Sequence, residues 1–168
     1  LYTNLGDYVN LFENQYFVDN NINLTSIASY NATFYIADNY KIYVSGDNVN
    51  GKLGLGFSAN ILTPMENIWF SNNNVKIVKI VAYNELVLFL DIDGKVYQTG
   101  LLFDGVINKT PTIINYFEQN NIIIKDISVG TSHSHYLDID GKVYFYGLST
   151  LGQSGMNTTS YIENPELV

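Results

Sequence analysis

Eight residues of the chain occur twice, letter for letter. Leu90-Asp91-Ile92-Asp93-Gly94-Lys95-Val96-Tyr97 recurs as Leu137-Asp138-Ile139-Asp140-Gly141-Lys142-Val143-Tyr144. Such repetition constrains a fold strongly, because a short repeated unit buries its apolar surface only against its neighbours. A looser third copy is Ile36-Ala37-Asp38-Asn39-Tyr40-Lys41-Ile42-Tyr43. The closing tyrosines at 43, 97 and 144 stand 54 and 47 residues apart, and Gly46, Gly100 and Gly147 each follow three residues later. All three prolines keep this register: Pro64 and Pro165 lie 21 residues past their tyrosine, and Pro111 lies 14 past. The middle unit is therefore seven residues shorter. Trp69-Phe70 matches Tyr116-Phe117, and Asn73-Asn74-Val75 matches Asn120-Asn121-Ile122. Tyr16-Phe17 and Asn20-Asn21-Ile22 extend the series toward the start, with Leu11 where proline would stand and Tyr2 as a further counterpart of the closing tyrosine. The expected organisation is the tail and linking strand of a preceding repeat over 1–26, then repeats over 27–79, 80–126 and 127–168, all within one domain.

Each unit reads as strands. Leu86 to Leu90 is a continuous apolar run, as expected for a strand covered on both faces. Asp93-Gly94 and Asp140-Gly141 predict tight hairpin turns with positive φ. The return strand Lys142-Val143-Tyr144-Phe145-Tyr146 alternates its faces. Val75–Ile80 and Ile122–Ile127 are further β-branched strands after Asn-rich turns. Four short strands in about 50 residues, repeated, predict a propeller blade. The fold class is all-β: a β-propeller segment of about three four-stranded antiparallel blades, with partial repeats at both ends.

Charge narrows the functional classes. With 16 acidic residues against 8 cations, all lysine, the net charge is −8. An acidic chain without arginine lacks the clustered cations that a nucleic-acid surface needs. No apolar stretch reaches the length of a membrane span, and no signal segment opens the chain. The absence of cysteine removes disulfides, thiol catalysis and cysteine-ligated zinc. The richness in Asn, Ile and Tyr reads as the mark of AT-rich coding.

The repeat residues resemble the regulator of chromosome condensation family. That family's unit has a glycine, two variable residues and a histidine before an apolar strand, then an Asp-Gly turn. A Val-Tyr strand ending in glycine and a Gly-Gln-Leu-Gly element complete it. The matching residues in the third unit are Gly130, His133, Asp140-Gly141, Val143-Tyr144, Gly147 and Gly152-Gln153-Ser154-Gly155. In the second they are Asp93-Gly94, Tyr97 and Gly100, and in the first Gly46 and Gly51-Lys52-Leu53-Gly54. The resemblance implies a seven-bladed propeller, with kelch-type propellers the alternative. The match is divergent: the tryptophan usual before the strand-ending glycine is Ser45, Thr99 and Tyr146. The middle unit has Leu101-Leu102-Phe103-Asp104-Gly105 in place of the last element.

Three local patterns invite a chemical reading, and each has a structural one that fits better. Ser132-His133-Ser134-His135 puts two imidazoles on one side of a strand. Their counterparts are Leu86 and Leu88, and Ala32 and Phe34, which marks a core-facing stripe. The paired Asp91 and Asp93, like Asp138 and Asp140, lack the later ligands of a calcium loop, since Leu102 and Ser149 stand at the twelfth positions. Gly51 to Gly56 is not a phosphate loop, because no lysine follows the second glycine. Four Asn-x-Ser/Thr sequences, at Asn23, Asn31, Asn108 and Asn157, are about what this composition produces by chance. No catalytic residue, cofactor or metal is expected. Tyr43, Tyr97 and Tyr144 recur at one repeat position and are expected to pack between blades. The non-repeating Trp69, Phe103 and Tyr161 are the candidates for partner contact.

The expected function is a non-catalytic protein–protein interaction scaffold. One alternative is guanine-nucleotide exchange on a small GTPase, which the family's founding member performs on Ran and which rests on the resemblance alone. Another is a structural subunit of a larger assembly. At about 50 residues per blade, 168 residues hold three blades and a fraction, fewer than the four to eight that close a propeller. The remaining blades are expected from the same longer chain or from another copy.

Overall fold

The computed structural model describes residues 14–168. The reading of Tyr2 and Leu11 lies outside them. Among the described residues twelve strands form three four-stranded antiparallel sheets, each in simple up-and-down order. Blade 1 is β1 (Leu24–Ser29), β2 (Ala32–Ala37), β3 (Ile42–Gly46) and β4 (Ile61–Glu66). Blade 2 is β5 (Ile77–Tyr83), β6 (Leu86–Asp91), β7 (Val96–Leu101) and β8 (Ile107–Ile113). Blade 3 is β9 (Ile124–Val129), β10 (His133–Asp138), β11 (Val143–Leu148) and β12 (Tyr161–Leu167). The boundaries at 27, 80 and 127 fall four residues into β1, β5 and β9.

Pairing follows the sequence repeat. Ala32 faces Gly46, Leu86 faces Gly100 and His133 faces Gly147 in the central hairpins. These glycines have φ of +101°, +90° and +112°. At Gly100 a Cβ would collide with the Glu85 carbonyl oxygen, so only glycine lets the chain turn this closely past the β5–β6 hairpin. The Asp-Gly turns differ from the expected form. Gly94 and Gly141 alone take positive φ; the preceding aspartates do not. Gly94 N–H donates to the Asp91 carbonyl at 3.1 Å, and Asp91 N–H donates to Lys95 at 3.0 Å. This is a type I turn closed by a left-handed glycine, the three-residue hairpin rather than the two-residue one.

Three five-residue helices were not foreseen: α1 (Gln15–Asp19), α2 (Ile68–Asn72) and α3 (Asn115–Gln119). Asn14 and Asn67 cap α1 and α2, accepting from Tyr16 N–H and Trp69 N–H. The Asn pairs that follow supply the stop, with Asn21, Asn74 and Asn121 in the left-handed region. Each helix wedges an aromatic pair beside the closing tyrosine of the next blade. Phe17 lies 5.7 Å from Tyr43, Trp69 5.8 Å from Tyr97, and Phe117 5.8 Å from Tyr144.

The blades stack face to face. Ala32, Phe34 and Ile36 of blade 1 form one core with Ile80, Val87 and Phe89 of blade 2. Leu86, Leu88 and Leu90 of blade 2 form the next with Ile127, Tyr136 and Tyr144 of blade 3. Thus β6, between two neighbours, is buried at every residue, as its apolar run requires. The first strands adjoin one another, β1 against β5 and β5 against β9. Lys79 of β5 pairs with Asp126 of β9 there. Pro64, Pro111 and Pro165 all stand in the last strands, β4, β8 and β12, where a missing N–H costs the ladder least.

Candidate interaction surfaces

The repeat motif is spent largely on packing. Asp91 and Asp138, buried at the ends of β6 and β10, organise their hairpins from within. Asp91 Oδ1 accepts from Lys95 N–H at 2.8 Å and Asp93 N–H at 3.0 Å, and Asp138 Oδ1 accepts from Lys142 N–H at 2.8 Å. Their other oxygens accept from Tyr97 Oη at 3.5 Å and Tyr144 Oη at 3.4 Å. Burial raises the Asp91 carboxyl above its ordinary range, and it raises the Tyr97 and Tyr144 phenols as well. The repeat spelled out these two carboxylates, but its acidic turn drew attention to Asp93 and Asp140, whose side chains point outward and exposed.

Gly51 and Gly54, with Gly152 and Gly155 in the third unit, belong to loops that leave the third strand and return in the fourth. In blade 1 this loop crosses onto blade 2. Gly56 N–H donates to the Lys109 carbonyl at 2.8 Å, and Thr99 Oγ1 donates to the Lys52 carbonyl at 2.6 Å. Asn67 Nδ2 donates to the Leu53 carbonyl at 2.9 Å. Inside the loop, buried Asn48 accepts from Leu53 N–H at 2.9 Å and donates to the Phe57 carbonyl at 2.9 Å. Ser149 holds the same place in blade 3, its Oγ accepting from Ser154 N–H at 3.1 Å and lying 3.1 Å from the Thr158 carbonyl. One frame is thus kept by two residue types.

Lys52 is the unexpected member of that loop. Its side chain is 1% exposed, its Nζ donates to Asp47 Oδ2 at 2.6 Å, and Glu85 Oε2 stands 4.0 Å away. That Glu85 oxygen is buried without a hydrogen-bond partner among the described residues, so the Lys52 charge is what offsets it. Asp47 comes from blade 1 and Glu85 from the β5–β6 turn of blade 2, so the ammonium straddles the junction. It also holds the Asp47 carboxyl below its ordinary range.

The Ser132–His135 cluster lies on the outer face of blade 3. His133 stacks on Phe145 at 5.6 Å with 13° between planes, and His135 meets the same ring edge-on at 5.1 Å. His135 Nε2 lies 3.2 Å from the Gln153 carbonyl. Burial, and then the neighbouring His135, lower the His133 imidazole below its ordinary value. Gly130 lies against the His133 ring, where a Cβ would intrude. Ser134 points the other way, buried, and donates to Tyr136 Oη at 2.8 Å. The pair occupies the stripe that Ala32 and Phe34 fill in blade 1. Among the described residues no three His, Cys, Asp or Glu side chains gather around one point.

Trp69, Phe103 and Tyr161 are each half-buried. Trp69 sits between Phe70 and Tyr97. Phe103 lies 5.5 Å from Tyr146, reaching from the shortened loop of blade 2 to blade 3, where a full crossing loop would otherwise lie. Tyr161 donates to Tyr146 Oη at 3.4 Å. Each keeps part of its ring at the surface. The most exposed apolar residues are elsewhere, on Leu62 of β4 and Leu151 of the last loop. Among the described residues no helix is long and apolar enough to cross a membrane.

No protein-family model matches the chain. Its fold is nonetheless found in solved structures. The complex of Kap60 with yeast RCC1 (Prp20) matches with a TM-score of 0.74 at 22% identity, over 86% of this chain. Human WBSCR16 matches with a TM-score of 0.71 at 18% identity over the same share. A second Prp20p structure, from Saccharomyces cerevisiae, whose binding to Gsp1p and histones was also described, gives 0.69 at 22%. The chain spans 37% of the length of each. The blades therefore have the RCC1-like propeller fold.

Proposed function

We propose that this chain is part of a non-catalytic propeller scaffold that binds other proteins through its loops and the exposed parts of its aromatic residues. The observation that carries the reading is where variation lies. Tyrosines, glycines and buried aspartates repeat because they hold the blades. The crossing loops differ in sequence in all three units, and that of the middle unit is shorter by seven residues. Rigid strands presenting divergent loops are an arrangement suited to recognition. The yeast RCC1 structures, described with Kap60, Gsp1p and histones, favour protein partners for this fold in general. For this chain Trp69, Phe103 and Tyr161 are the proposed contact residues, since each leaves part of an aromatic ring exposed beside a loop.

A small GTPase is the specific alternative partner, and exchange would then be the activity. A fluorescent-nucleotide release assay with candidate GTPases separates the two. The scaffold reading expects no acceleration, and saturable binding of an identified protein that weakens at least tenfold in Trp69→Ala or Phe103→Ala. Accelerated release would replace it with the exchange reading, and turnover of a small substrate would reject both.

A further inference from the structure

We propose that the groove between blades 2 and 3 binds a short basic segment of another protein, lying extended with glycine at its closest approach. The inference rests on the scaffold reading and gives it a site and a ligand chemistry. It comes from the difference between two equivalent junctions, both formed by described residues.

At the junction of blades 1 and 2, the blade 1 crossing loop fills the space between the blades, and its main chain makes the contacts. Thr99 Oγ1 donates to the Lys52 carbonyl at 2.6 Å, and Gly56 N–H donates to the Lys109 carbonyl at 2.8 Å. Asn67 Nδ2 donates to the Leu53 and Gly54 carbonyls at 2.9 and 3.2 Å. Gly54 has no room for a side chain: at φ +73°, a Cβ there would press on Asn67, Thr99 and Pro111 at 2.9, 3.1 and 3.3 Å. At the junction of blades 2 and 3 the crossing loop is seven residues shorter. Its Phe103 takes over only the place of Lys52. A Cβ on Gly100 would meet the Lys52 side chain, and one on Gly147 the Phe103 ring. The rest of the space is an open groove of about 310 Å³.

The walls of that groove are the frame that grips the loop next door. The counterparts of Asn67, Thr99 and Pro111 in the repeat are Ile114, Tyr146 and Pro165, and all three line it. So does Glu163, which stands where Lys109 receives Gly56 N–H. Tyr146 keeps a hydroxyl where Thr99 has one for a main-chain carbonyl. Ile114 and Tyr146 are larger than the residues they replace, so an incoming chain comes closest where it carries no side chain. Charge sets the rest of the ligand. Lys109 of the first junction gives way to Glu163, Asp104 joins it, and no lysine lines the groove. Both carboxylates are exposed, on a chain of net charge −8, which favours a cationic segment and repels an acidic one. The volume suits a few residues in extended form and excludes a folded domain.

The probe is a capped, fluorescently labelled peptide, Lys-Leu-Gly-Leu-Gly-Lys, which keeps the order of Leu53 to Gly56 between two cations. With the full chain in about 0.15 M salt, fluorescence anisotropy is expected to show saturable binding, with a Kd on the order of 100 μM for so short a segment. The double variant Asp104→Asn, Glu163→Gln should weaken binding about tenfold or more. Changing both peptide glycines to alanine should do the same, a comparison made on the wild type that needs no variant to fold. Both carboxylates are exposed and Asp104→Asn keeps an acceptor for Val106 N–H, so circular dichroism should be unchanged. Absence of saturable binding, or binding that the double variant leaves intact, would overturn the proposal. Equal binding of the alanine peptide would overturn it as well, leaving only attraction of cations to an acidic chain. A dimer by light scattering that the double variant splits would give the groove to a second copy and reject a foreign segment. Failure at the groove with retained, Trp69-dependent binding of a protein would leave the scaffold function standing.

Discussion

Among the described residues eight non-glycine ones take positive φ, and seven of them are asparagine. Asparagine enters the left-handed region more readily than other side chains, so its abundance here has a use in turns and helix stops. The eighth is Tyr40 at φ +64°, standing where Gly94 and Gly141 close the other hairpins. Its backbone is strained, and its one visible recompense is the Lys76 ammonium 5.5 Å above its ring. Tyr40→Gly is expected to stabilise the chain by about 0.5–1 kcal/mol, the relief of the left-handed strain less the entropy of glycine. Urea denaturation would show it as a higher midpoint at unchanged slope. A lower midpoint would mean that the ring contributes more than the strain removes.

The crossing loop of blade 1 shows how one element joins two blades. Lys52→Met would leave Asp47 Oδ2 without its donor and the buried Glu85 oxygen without a nearby cation, at a cost of roughly 1–3 kcal/mol at neutral pH. The sign with pH follows from Asp47, whose carboxyl Lys52 holds below its ordinary 3.8. A depressed carboxyl contributes stability that is present above its unfolded value and is lost as pH falls through the folded one. The gap between wild type and variant should therefore be full at pH 7 and narrow below pH 3.8, as denaturation at pH 7, 5 and 3 would reveal. An undiminished gap in acid would assign the effect to packing.

At this scale the sequence was most readable where elements repeat. The duplicated octapeptide marked the central hairpins, and the continuous run at Leu86 foretold a strand with two covered faces. The helices escaped because five residues do not complete two turns, and their aromatic pairs read equally well as strand. The G1-type hairpin escaped because Asp-Gly suits both turn forms. Trp69, Phe103 and Tyr161 were singled out for partner contact as residues that do not recur, although Trp69 stands where Tyr16 and Tyr116 do. Phe103 has a packing role that the sequence did not show: a deletion in one loop leaves a gap that a non-repeating side chain reaches across. The Lys52 cluster was equally hidden, because Asp47 and Glu85 meet only when two blades stack.

In the whole molecule, each blade is supported by its neighbours, so stability is expected to be graded along the stack. Amides of β6, in the blade covered on both faces, should exchange most slowly. Those of β2 and β10 should open earlier, because among the described residues each belongs to a blade with one neighbouring blade rather than two. Hydrogen exchange read strand by strand would show this order, and uniform protection would mean that the three blades unfold as one unit.

The prolines of β4, β8 and β12 bear on how a sheet of this kind can be extended by a foreign strand. Each occupies the outermost strand of its sheet, so a foreign strand approaching the rim meets a ladder with a donor missing and a ring in the way. Sideways recruitment is obstructed at each of the three described blades, which guards their outer edges against the lateral sheet growth that ends in fibres.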